Sequence, residues 1–320
     1  MILRGIDFGP VLDASGVRGF FGEGYWYHRW LRRFGLDFSG STFVAKTTTL
    51  YPRLGNMPLT SDFTPQETKP QCIQVYFRKA MVLNAVGLSG PGARALFDDG
   101  QWQEREKPFF LSFMSIGKTT DERLEELKLF IKLLRVKLYG FTAQIGLQIN
   151  KSCPNVAVHD EDTVKEAKES LYIAQAADVP LMLKYNALLT VQDAHEIAKD
   201  PNCDALCVSN TIPWRAHPDI DWDGLFGVQE SPLVHLGGGG LSGAPLMPLV
   251  RRWISAYQTP LITTQKPINA GGGILTPTDV DIVKEVGAAS IFIGSVAILR
   301  GWRVQSIIRR AYEVFGYTRR

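Results

Sequence analysis

The chain has 320 residues, of which 45% are hydrophobic and 21% are charged. This ordinary apolar fraction excludes a disordered protein, and 30 glycines and 18 prolines without a repeat exclude a collagen-like one. The 35 basic and 32 acidic side chains leave a net charge of only +3, which predicts neither nucleic acid nor a membrane as a partner.

The four cysteines are too few for a disulfide scaffold, and no two of them have the Cys-x-x-Cys spacing of a zinc site. We therefore expect core thiols and no metal. The first residues lack the apolar stretch of a signal peptide, and no run approaches the roughly 18 apolar residues of a membrane span. These features predict a cytoplasmic protein.

Short apolar runs alternate with helical patterns along the whole chain. Each run is largely continuous in apolar character, which is typical of parallel strands that are buried on both faces. We predict eight strands, at Pro10–Ala14, Thr42–Thr47, Pro108–Ser115, Thr142–Asn150, Val179–Lys184, Ala205–Ser209, Pro267–Ala270 and Ser290–Ile293.

Amphipathic patterns between these runs predict helices. The clearest begins at Asp121, where apolar residues recur at i, i+3 and i+4 behind the cap candidates Thr119 and Thr120. Eight βα repeats without a linker favour an α/β fold, a (β/α)8 TIM barrel that forms a single domain over residues 1–320. Further helices are predicted at Asp162–Ala177, Val191–Ala198, Pro245–Tyr257, Thr278–Val286 and Val296–Phe315.

Two segments, Tyr51–Asn84 and Thr211–Ser242, are longer than ordinary connections. We interpret them as long βα-loop insertions, which usually carry function in a barrel. The first contains a stretch with strand character, Gln71–Phe77, so it is expected to hold a small additional sheet.

Active groups of a barrel lie at the carboxyl ends of its strands. Gly271-Gly-Gly-Ile274 and Gly294-Ser295 follow the last two strands, where barrels usually bind phosphate, although glycines there also make simple tight turns. Lys46 and Lys184 each end an apolar strand. A buried ammonium there requires an anion or a chemical role, such as a Schiff base, unless it reaches solvent at the rim.

The segment Asn150-Lys-Ser-Cys-Pro-Asn155 also follows a predicted strand. A cysteine on a loop between two amide side chains is a candidate base or nucleophile. The alternative is an ordinary turn with a buried thiol.

An ordered set of short motifs resembles the dihydroorotate dehydrogenases, and the Ser-Cys-Pro-Asn piece is the most specific of them. The set spans residues 13 to 295. Its pieces are Asp13-Ala-Ser-Gly-Val17, Lys46-Thr-Thr-Thr-Leu50, Gly55-Asn56, Asn84-Ala-Val-Gly-Leu88, Asn150-Lys-Ser-Cys-Pro-Asn-Val156, Leu183-Lys184, Ser209-Asn-Thr211, Gly239-Gly-Leu-Ser-Gly243, Gly271-Gly-Gly-Ile274 and Gly294-Ser295.

The resemblance implies an FMN enzyme of pyrimidine biosynthesis that oxidises dihydroorotate to orotate. Hydride would pass from C6 to flavin N5, and Cys153 would be the catalytic base that removes the C5 proton. The substrate residues implied are Lys46, Asn84, Val86, Gly87, Leu88, Asn150, Asn155, Asn210 and Thr211. Those implied for FMN are Ala14, Ser15, Lys46, Thr47, Asn150, Lys184, Ser209, Gly243, Gly272, Gly273, Gly294 and Ser295.

Cysteine at position 153 and the short N-terminus resemble the soluble class 1 branch, which implies a homodimer without a membrane partner. Within that branch, one type uses fumarate and another passes electrons to NAD through an iron–sulfur subunit. The fumarate type usually has Pro-Gly-Lys-Pro-Gln after its Ser-Cys-Pro-Asn-Val, where this chain has Ala157-Val-His-Asp-Glu-Asp162. We expect fumarate first and the partner-coupled NAD system second.

Three other readings remain open at this stage. One is a relative of dihydropyrimidine dehydrogenase, although that family usually has histidine where this chain has Asn155. Another is a Schiff-base lyase on a phosphate-binding barrel, with Lys184 or Lys46 as the amine. The last is a flavin-binding protein without turnover, against which the intact Cys153 and asparagine set argue.

Overall fold

The computed structural model describes residues 1–151, 163–259 and 265–318. The strands in chain order are β1 (Ile2–Leu3), β2 (Ile6–Asp7), β3 (Val11–Asp13), β4 (Ile73–Tyr76), β5 (Met81–Asn84), β6 (Phe109–Phe113), β7 (Ile145–Asn150), β8 (Leu181–Tyr185), β9 (Ala205–Val208), β10 (Ile212–Pro213), β11 (Gly240–Gly243), β12 (Ile268–Ala270) and β13 (Ser290–Ile293). Seven of them form a curled parallel sheet at the centre of the described residues, in the order β3-β13-β12-β9-β8-β7-β6.

Helices follow most strands of the parallel sheet and cover it. Short 3-10 turns extend several of them. The helices are α1 (Trp26–Leu31), α2 (Ala93–Asp99), α3 (Thr120–Leu138), α4 (Thr163–Ala174), α5 (Val191–Ala198), α6 (Trp222–Phe226), α7 (Met247–Tyr257), α8 (Pro277–Glu285), α9 (Ser295–Leu299) and α10 (Val304–Val314).

The two edges of the parallel sheet, β3 and β6, both contact residues 42–48. Thr42 bridges Leu12 in β3, whereas Val44 and Thr48 bridge Phe110 and Phe113 in β6, all in parallel orientation. The segment predicted as the second strand therefore lies in the right place, but it makes isolated bridges rather than a continuous ladder. The result is a TIM-barrel-like α/β fold.

A second, antiparallel sheet has the order β10-β11-β5-β4. Its β4 confirms the strand character predicted within Gln71–Phe77, and β5 ends at Asn84. The long segment after β9 supplies β10 and β11, and Gly240 of β11 pairs with Asn84 of β5. Both long segments of the chain therefore meet in one sheet at the carboxyl end of the barrel.

Helix α3 shows why these residues form this element. Thr119 accepts a hydrogen bond from the amide of Glu122, whose carboxylate in turn accepts from Thr119, so the first turn has a complete capping box. The predicted apolar stripe is the buried face, with Leu127, Phe130 and Leu134 in the core.

The single helix predicted over Val296–Phe315 is wrong. Arg300 leaves the helical conformation with φ −148° and ψ 51°, and a 3-10 turn at Gly301–Arg303 separates α9 from α10. Gly301 is buried within 3.4–3.5 Å of Leu36, measured from where its Cβ would be, so tertiary packing at this point overrides the helical pattern.

The amino-terminal end of the barrel is closed by the hairpin of β1 and β2. Met1, Leu3 and Phe8 pack there in one cluster with Leu12 and Phe110 of the barrel strands. The rings of Phe8 and Phe110 lie 4.4 Å apart between centroids. This apolar cluster fills the amino-terminal end of the barrel. The polar groups lie at the opposite, carboxyl end.

Candidate functional site

A cavity of about 240 Å³ lies at the carboxyl ends of the barrel strands. Cys153 and Asn155 lie outside the described residues, and Gly243 does not line the cavity, although its carbonyl oxygen lies 2.9 Å from where a Cβ of the lining residue Gly273 would be. The other predicted site residues all line the cavity: Ala14, Ser15, Lys46, Thr47, Asn84, Val86, Gly87, Leu88, Asn150, Lys184, Ser209, Asn210, Thr211, Gly272, Gly273, Gly294 and Ser295.

Three hydroxyl groups and one side-chain amide, from neighbouring segments of the barrel, form a hydrogen-bonded chain at the cavity. Ser15 Oγ lies 2.8 Å from Thr47 Oγ1, which lies 2.9 Å from Ser112 Oγ. Ser112 in turn donates to Gln148 Oε1 at 3.2 Å. Because each hydroxyl is held by the next, Ser15 and Thr47 present fixed oxygen atoms to whatever occupies the cavity.

Amide side chains line the side of the cavity near β7 and β9. Asn210 Nδ2 donates to Asn150 Oδ1 at 3.1 Å, and Asn210 Oδ1 accepts from the amide of Thr211 at 3.0 Å. Asn84 Nδ2 contacts the Gly240 carbonyl at 3.4 Å, across the antiparallel sheet. These contacts orient three amides that can both donate to and accept from a polar heterocycle.

Lys46 is buried at the end of the bridged segment. Its Nζ donates to the Ser89 carbonyl at 2.6 Å and lies 4.7 Å from the centroid of the Phe20 ring. Burial lowers the pKa of Lys46 to about 8, although the charge of Glu23 opposes this shift. A lysine with this pKa is mostly charged at neutral pH and can bind an anion there. It loses its charge as the pH rises above about 8.

Lys184 is buried at the end of β8, next to Asn150 in the register with β7. Its Nζ lies 5.8 Å from the centroid of the Phe292 ring, which also lines the cavity. The backbone carbonyl of Lys184 accepts from the amide of Lys151 at 3.0 Å, which fixes the chain just beyond Asn150. Lys184 therefore lines the same cavity as Lys46.

The loops after β12 and β13 have the close backbone approach that a phosphate needs. Gly272 and Gly273 have φ of +100° and +93°, and a Cβ on Gly273 would lie 2.9 Å from the carbonyl oxygen of Gly243. Within the described residues, no acceptor takes a hydrogen bond from the amides of Gly272, Gly273 or Ser295. Three free amides in the same cavity as the buried Lys184 fit the phosphate and ring of FMN.

The loop Asn84–Leu88 is supported by residues from the long segment before it. Arg53 Nε donates to the Gly87 carbonyl and Asn56 Nδ2 to the Ala85 carbonyl, both at 2.7 Å. A Cβ on Gly55 would lie 2.7 Å from the Val86 carbonyl oxygen. The motif Gly55-Asn56 therefore shapes the loop that faces the cavity and does not line the cavity itself.

Sequence reasoning missed several residues of the wall. Tyr25 enters it from a segment without a predicted element and donates to the Gly16 carbonyl at 2.8 Å. Ser242 belongs to the motif Gly239–Gly243, and its position in that motif could have identified it as a residue of the wall. Apolar members such as Met57 and Leu246 resemble ordinary core residues and gave no signal.

No helix within residues 1–151, 163–259 and 265–318 is long and apolar enough to cross a membrane. In the same ranges, histidine, cysteine and acidic side chains form no group of three that could hold a metal ion. Cys72, Cys203 and Cys207 are buried free thiols, as expected of core residues.

Comparisons with known proteins agree with the geometry. The chain is 30% identical over 306 residues to dihydroorotate dehydrogenase A (fumarate) of Lactobacillus delbrueckii subsp. bulgaricus, covering 92% of this chain and 85% of the relative. It is 29% identical over 299 residues to the catalytic subunit of dihydroorotate dehydrogenase B (NAD(+)) of Desulforudis audaxviator, covering 91% and 83%.

A crystal structure of a dihydroorotate dehydrogenase from Eimeria tenella, in complex with ferulenol, has the same fold. Its TM-score is 0.68 at 20% identity, over 98% of this chain and 83% of that one. The sequence model of the family described as dihydroorotate dehydrogenase matches residues 3–314. The chain therefore belongs to the dihydroorotate dehydrogenase family.

Proposed function

We propose that the cavity at the carboxyl end of the barrel oxidises dihydroorotate to orotate with FMN, as a step of pyrimidine biosynthesis. The activity and the cofactor follow from the family. The roles of individual residues are the proposal. Its main support is that 17 of the predicted site residues, drawn from nearly the whole length of the chain, surround one cavity.

The substrate residues proposed are the buried Lys46 and the amides around it. Lys46 supplies the positive charge that a substrate carboxylate requires, because its pKa of about 8 keeps it mostly protonated at neutral pH. Asn84, Asn150 and Asn210 match the alternating donors and acceptors of the dihydropyrimidine ring, and we assign the same role to Asn155 and Thr211. The backbone of Val86, Gly87 and Leu88 completes this side.

The residues proposed for FMN, which include Lys46 and Asn150, line or adjoin the same cavity. When bound, FMN supplies the acceptor for the hydride that leaves C6 of dihydroorotate. Gly272, Gly273 and Ser295 present free amides for the phosphate, and Gly243 and Gly294 allow the backbone to approach closely. Lys184 contributes a positive charge beside the ring, and Ala14, Ser15, Thr47 and Ser209 hold its polar edge and its ribityl chain.

Cys153 is proposed as the base that removes the C5 proton. In the sequence it stands three residues after Asn150, which lines the cavity. A free cysteine has a pKa of about 8.5, so some thiolate is present at neutral pH. Nucleophilic roles are not required, since the reaction needs only proton removal and hydride loss.

The remaining proposals concern the domain, the assembly and location of the protein, and the oxidant. We propose one domain over residues 1–320, a closed (β/α)8 barrel with the two long segments as βα-loop insertions, in a cytoplasmic homodimer. We propose fumarate as the oxidant. One relative with fumarate in its name is 30% identical, although a relative named for NAD(+) is 29% identical, so an iron–sulfur partner subunit is the second choice.

The experiment is anaerobic reduction of the purified yellow protein by dihydroorotate, followed by fumarate, NAD or a quinone in separate mixtures. We expect bleaching of the flavin band by dihydroorotate and its return with fumarate faster than with buffer. A protein that is not bleached contradicts the activity. A protein that is bleached but ignores fumarate contradicts the oxidant alone and leaves the site in place.

A further inference from the structure

Lys46 is held in the candidate site by the segment of chain between β3 and α1. The amide of Lys46 donates to the Gly19 carbonyl at 2.9 Å. A Cβ on Gly16 would lie 3.3 Å from Lys46 Cγ, so the backbone passes close to the side chain at that point. The centroid of the Phe20 ring lies 4.7 Å from Lys46 Nζ. The segment therefore contacts the backbone, the methylene chain and the ammonium group of Lys46.

The carboxylate of Glu23 determines the shape of this segment. Its two oxygens accept separately from the amides of Phe20 and Phe21, at 2.9 and 2.7 Å. The carboxylate lies directly over Gly19, where a Cβ would coincide with it, and Gly19 has φ of +78°. Glu23 thus binds across the turn that carries the contacts to Lys46.

The carbonyl groups of the same turn are bound to side chains from beyond β5. Trp102 Nε1 donates to the Phe20 carbonyl at 2.6 Å, and Arg105 Nη1 donates to the Phe21 carbonyl at 2.8 Å. All four backbone polar groups of Phe20 and Phe21 therefore have a side-chain partner. Replacing Glu23 would remove the partner of two of them and loosen the turn next to Lys46.

The charge of Glu23 also acts on Lys46. Burial lowers the pKa of Lys46 to about 8, and the negative charge of Glu23 is the largest effect that opposes this shift. Cys72 is neutral near this pH, since burial raises its pKa to about 11. Tyr25, in the cavity wall, is neutral as well, because burial raises its pKa well above the usual range. Within the described part of the chain, Glu23 is therefore the main charged support of the Lys46 ammonium.

The other charged groups around this segment have different partners. Asp13 and Arg18 bind each other at 2.5 Å, and Arg105 binds the Phe21 carbonyl. The residues 84–89, whose last carbonyl accepts from Lys46 Nζ, contain no titratable side chain. Lys184 lines the same cavity and bears the same charge as Lys46, so it cannot stabilise the Lys46 ammonium.

We propose that Glu23 is a positioning residue for the substrate carboxylate, because it holds Lys46 in place through the turn at Gly19–Phe21 and keeps the Lys46 ammonium charged. This inference rests on the proposed function, in which Lys46 binds that carboxylate. One of the three N–H groups of Lys46 Nζ donates to the Ser89 carbonyl at 2.6 Å, and a carboxylate can accept from the others. Glu23 does not line the cavity, so it acts through Lys46 rather than on the substrate.

The experiment is calorimetric titration of FMN-loaded protein with orotate, at pH values on both sides of about 8. It uses the Cys153→Ala background, because the thiol would ionise in the same pH range. With Glu23 present, the affinity should fall as the pH rises through about 8. With Glu23→Gln, the fall should begin at lower pH, because Lys46 loses its proton more easily without the nearby negative charge. At pH 8 the difference should be about two- to fivefold, as expected for an exposed charge.

Two further variants separate the charge of Glu23 from its shape. Glu23→Asp keeps the charge on a shorter side chain, so the pH midpoint should stay closer to that of the protein with Glu23 than the midpoint of Glu23→Gln does. Glu67→Gln is the control. It removes another exposed carboxylate that accepts a backbone amide, from Gln71 at 3.2 Å, and should change neither the affinity nor the midpoint.

Salt gives an independent test that needs no variant. Because Glu23 is exposed, salt at about 1 M should screen its charge and move the midpoint toward that of Glu23→Gln. The midpoint of Glu23→Gln itself should move less.

Three results would overturn the inference: an unchanged midpoint in Glu23→Gln, an equal shift in Glu67→Gln, or a loss of affinity in Glu23→Gln that is the same at every pH. Lys46→Met tests the proposed function separately and should bind orotate weakly without a midpoint near pH 8. If Lys46→Met binds like its parent, Lys46 does not hold the carboxylate, and the roles of both residues are wrong. If only Lys46→Met behaves as expected, the role of Lys46 stands and that of Glu23 alone is wrong.

Discussion

Replacing Gly273 by alanine tests the proposed phosphate cradle, and Gly100→Ala is its control. Both glycines have φ of +93°, so alanine carries the same backbone penalty of about 1–2 kcal/mol at either position. They differ in their surroundings. A Cβ at position 100 meets nothing within 4 Å, whereas at position 273 it lies 2.9 Å from the Gly243 carbonyl oxygen and from the Met247 amide nitrogen.

Neither backbone atom can rotate away, so the loop after β12 must move. Loss of one charge-assisted hydrogen bond to the phosphate corresponds to about 1.5–3 kcal/mol, or about 10- to 150-fold in the FMN dissociation constant. The assay is fluorescence titration of the flavin-free proteins with FMN, with thermal unfolding measured alongside. We expect a larger stability loss in Gly273→Ala, because its loop must move in addition to the shared backbone penalty, and weak FMN binding only in that variant. Wild-type affinity in Gly273→Ala, or equal loss in Gly100→Ala, would refute the cradle.

The remaining predictions concern the base, the substrate charge and the core. Cys153→Ala should keep FMN but slow its reduction by dihydroorotate by about 10²–10⁴-fold in anaerobic stopped-flow, whereas Cys203→Ala, in the core, should not. In the Cys153→Ala background, orotate should bind more weakly as pH rises through about 8, where Lys46 loses its proton, and Lys46→Met should remove that dependence. Arg18→Met leaves the buried Asp13 without its 2.5 Å ion pair and should lower the free energy of unfolding in urea by about 3–5 kcal/mol, whereas the exposed Arg310→Met should have a much smaller effect.

Periodicity and strand ends were strong enough to predict most of the barrel. The helix at Val191–Ala198 is found at the predicted residues, and the polar groups that end β7 and β8, Asn150 and Lys184, face the same cavity. These features are local. A buried strand must be apolar along its length, and a polar residue at its carboxyl end lies at the face of the barrel where the active site forms.

The features that sequence reasoning missed depend on contacts between distant residues. Helix α1 has aromatic and basic residues on every side and buries none of them, so no apolar stripe marks it. Strands β10 and β11 are short and glycine-rich, and they exist because they pair with each other and with β5. The 3-10 turn at Gly301 likewise follows from packing against Leu36, and no local sequence pattern indicates this contact.

The antiparallel sheet has a consequence for how the protein is made. Asn84 meets Gly240 across 156 residues of chain, so the wall that carries Asn84 cannot be completed until β11 has left the ribosome. At about 5–20 residues per second, that interval lasts roughly 8–30 s. During it, β4 and β5 form a two-stranded unit with an unpaired edge, which alone is only marginally stable. The nascent chain therefore exposes this hairpin longer than the strands of the barrel that pair with their immediate successors, which makes it the expected point of contact for a chaperone.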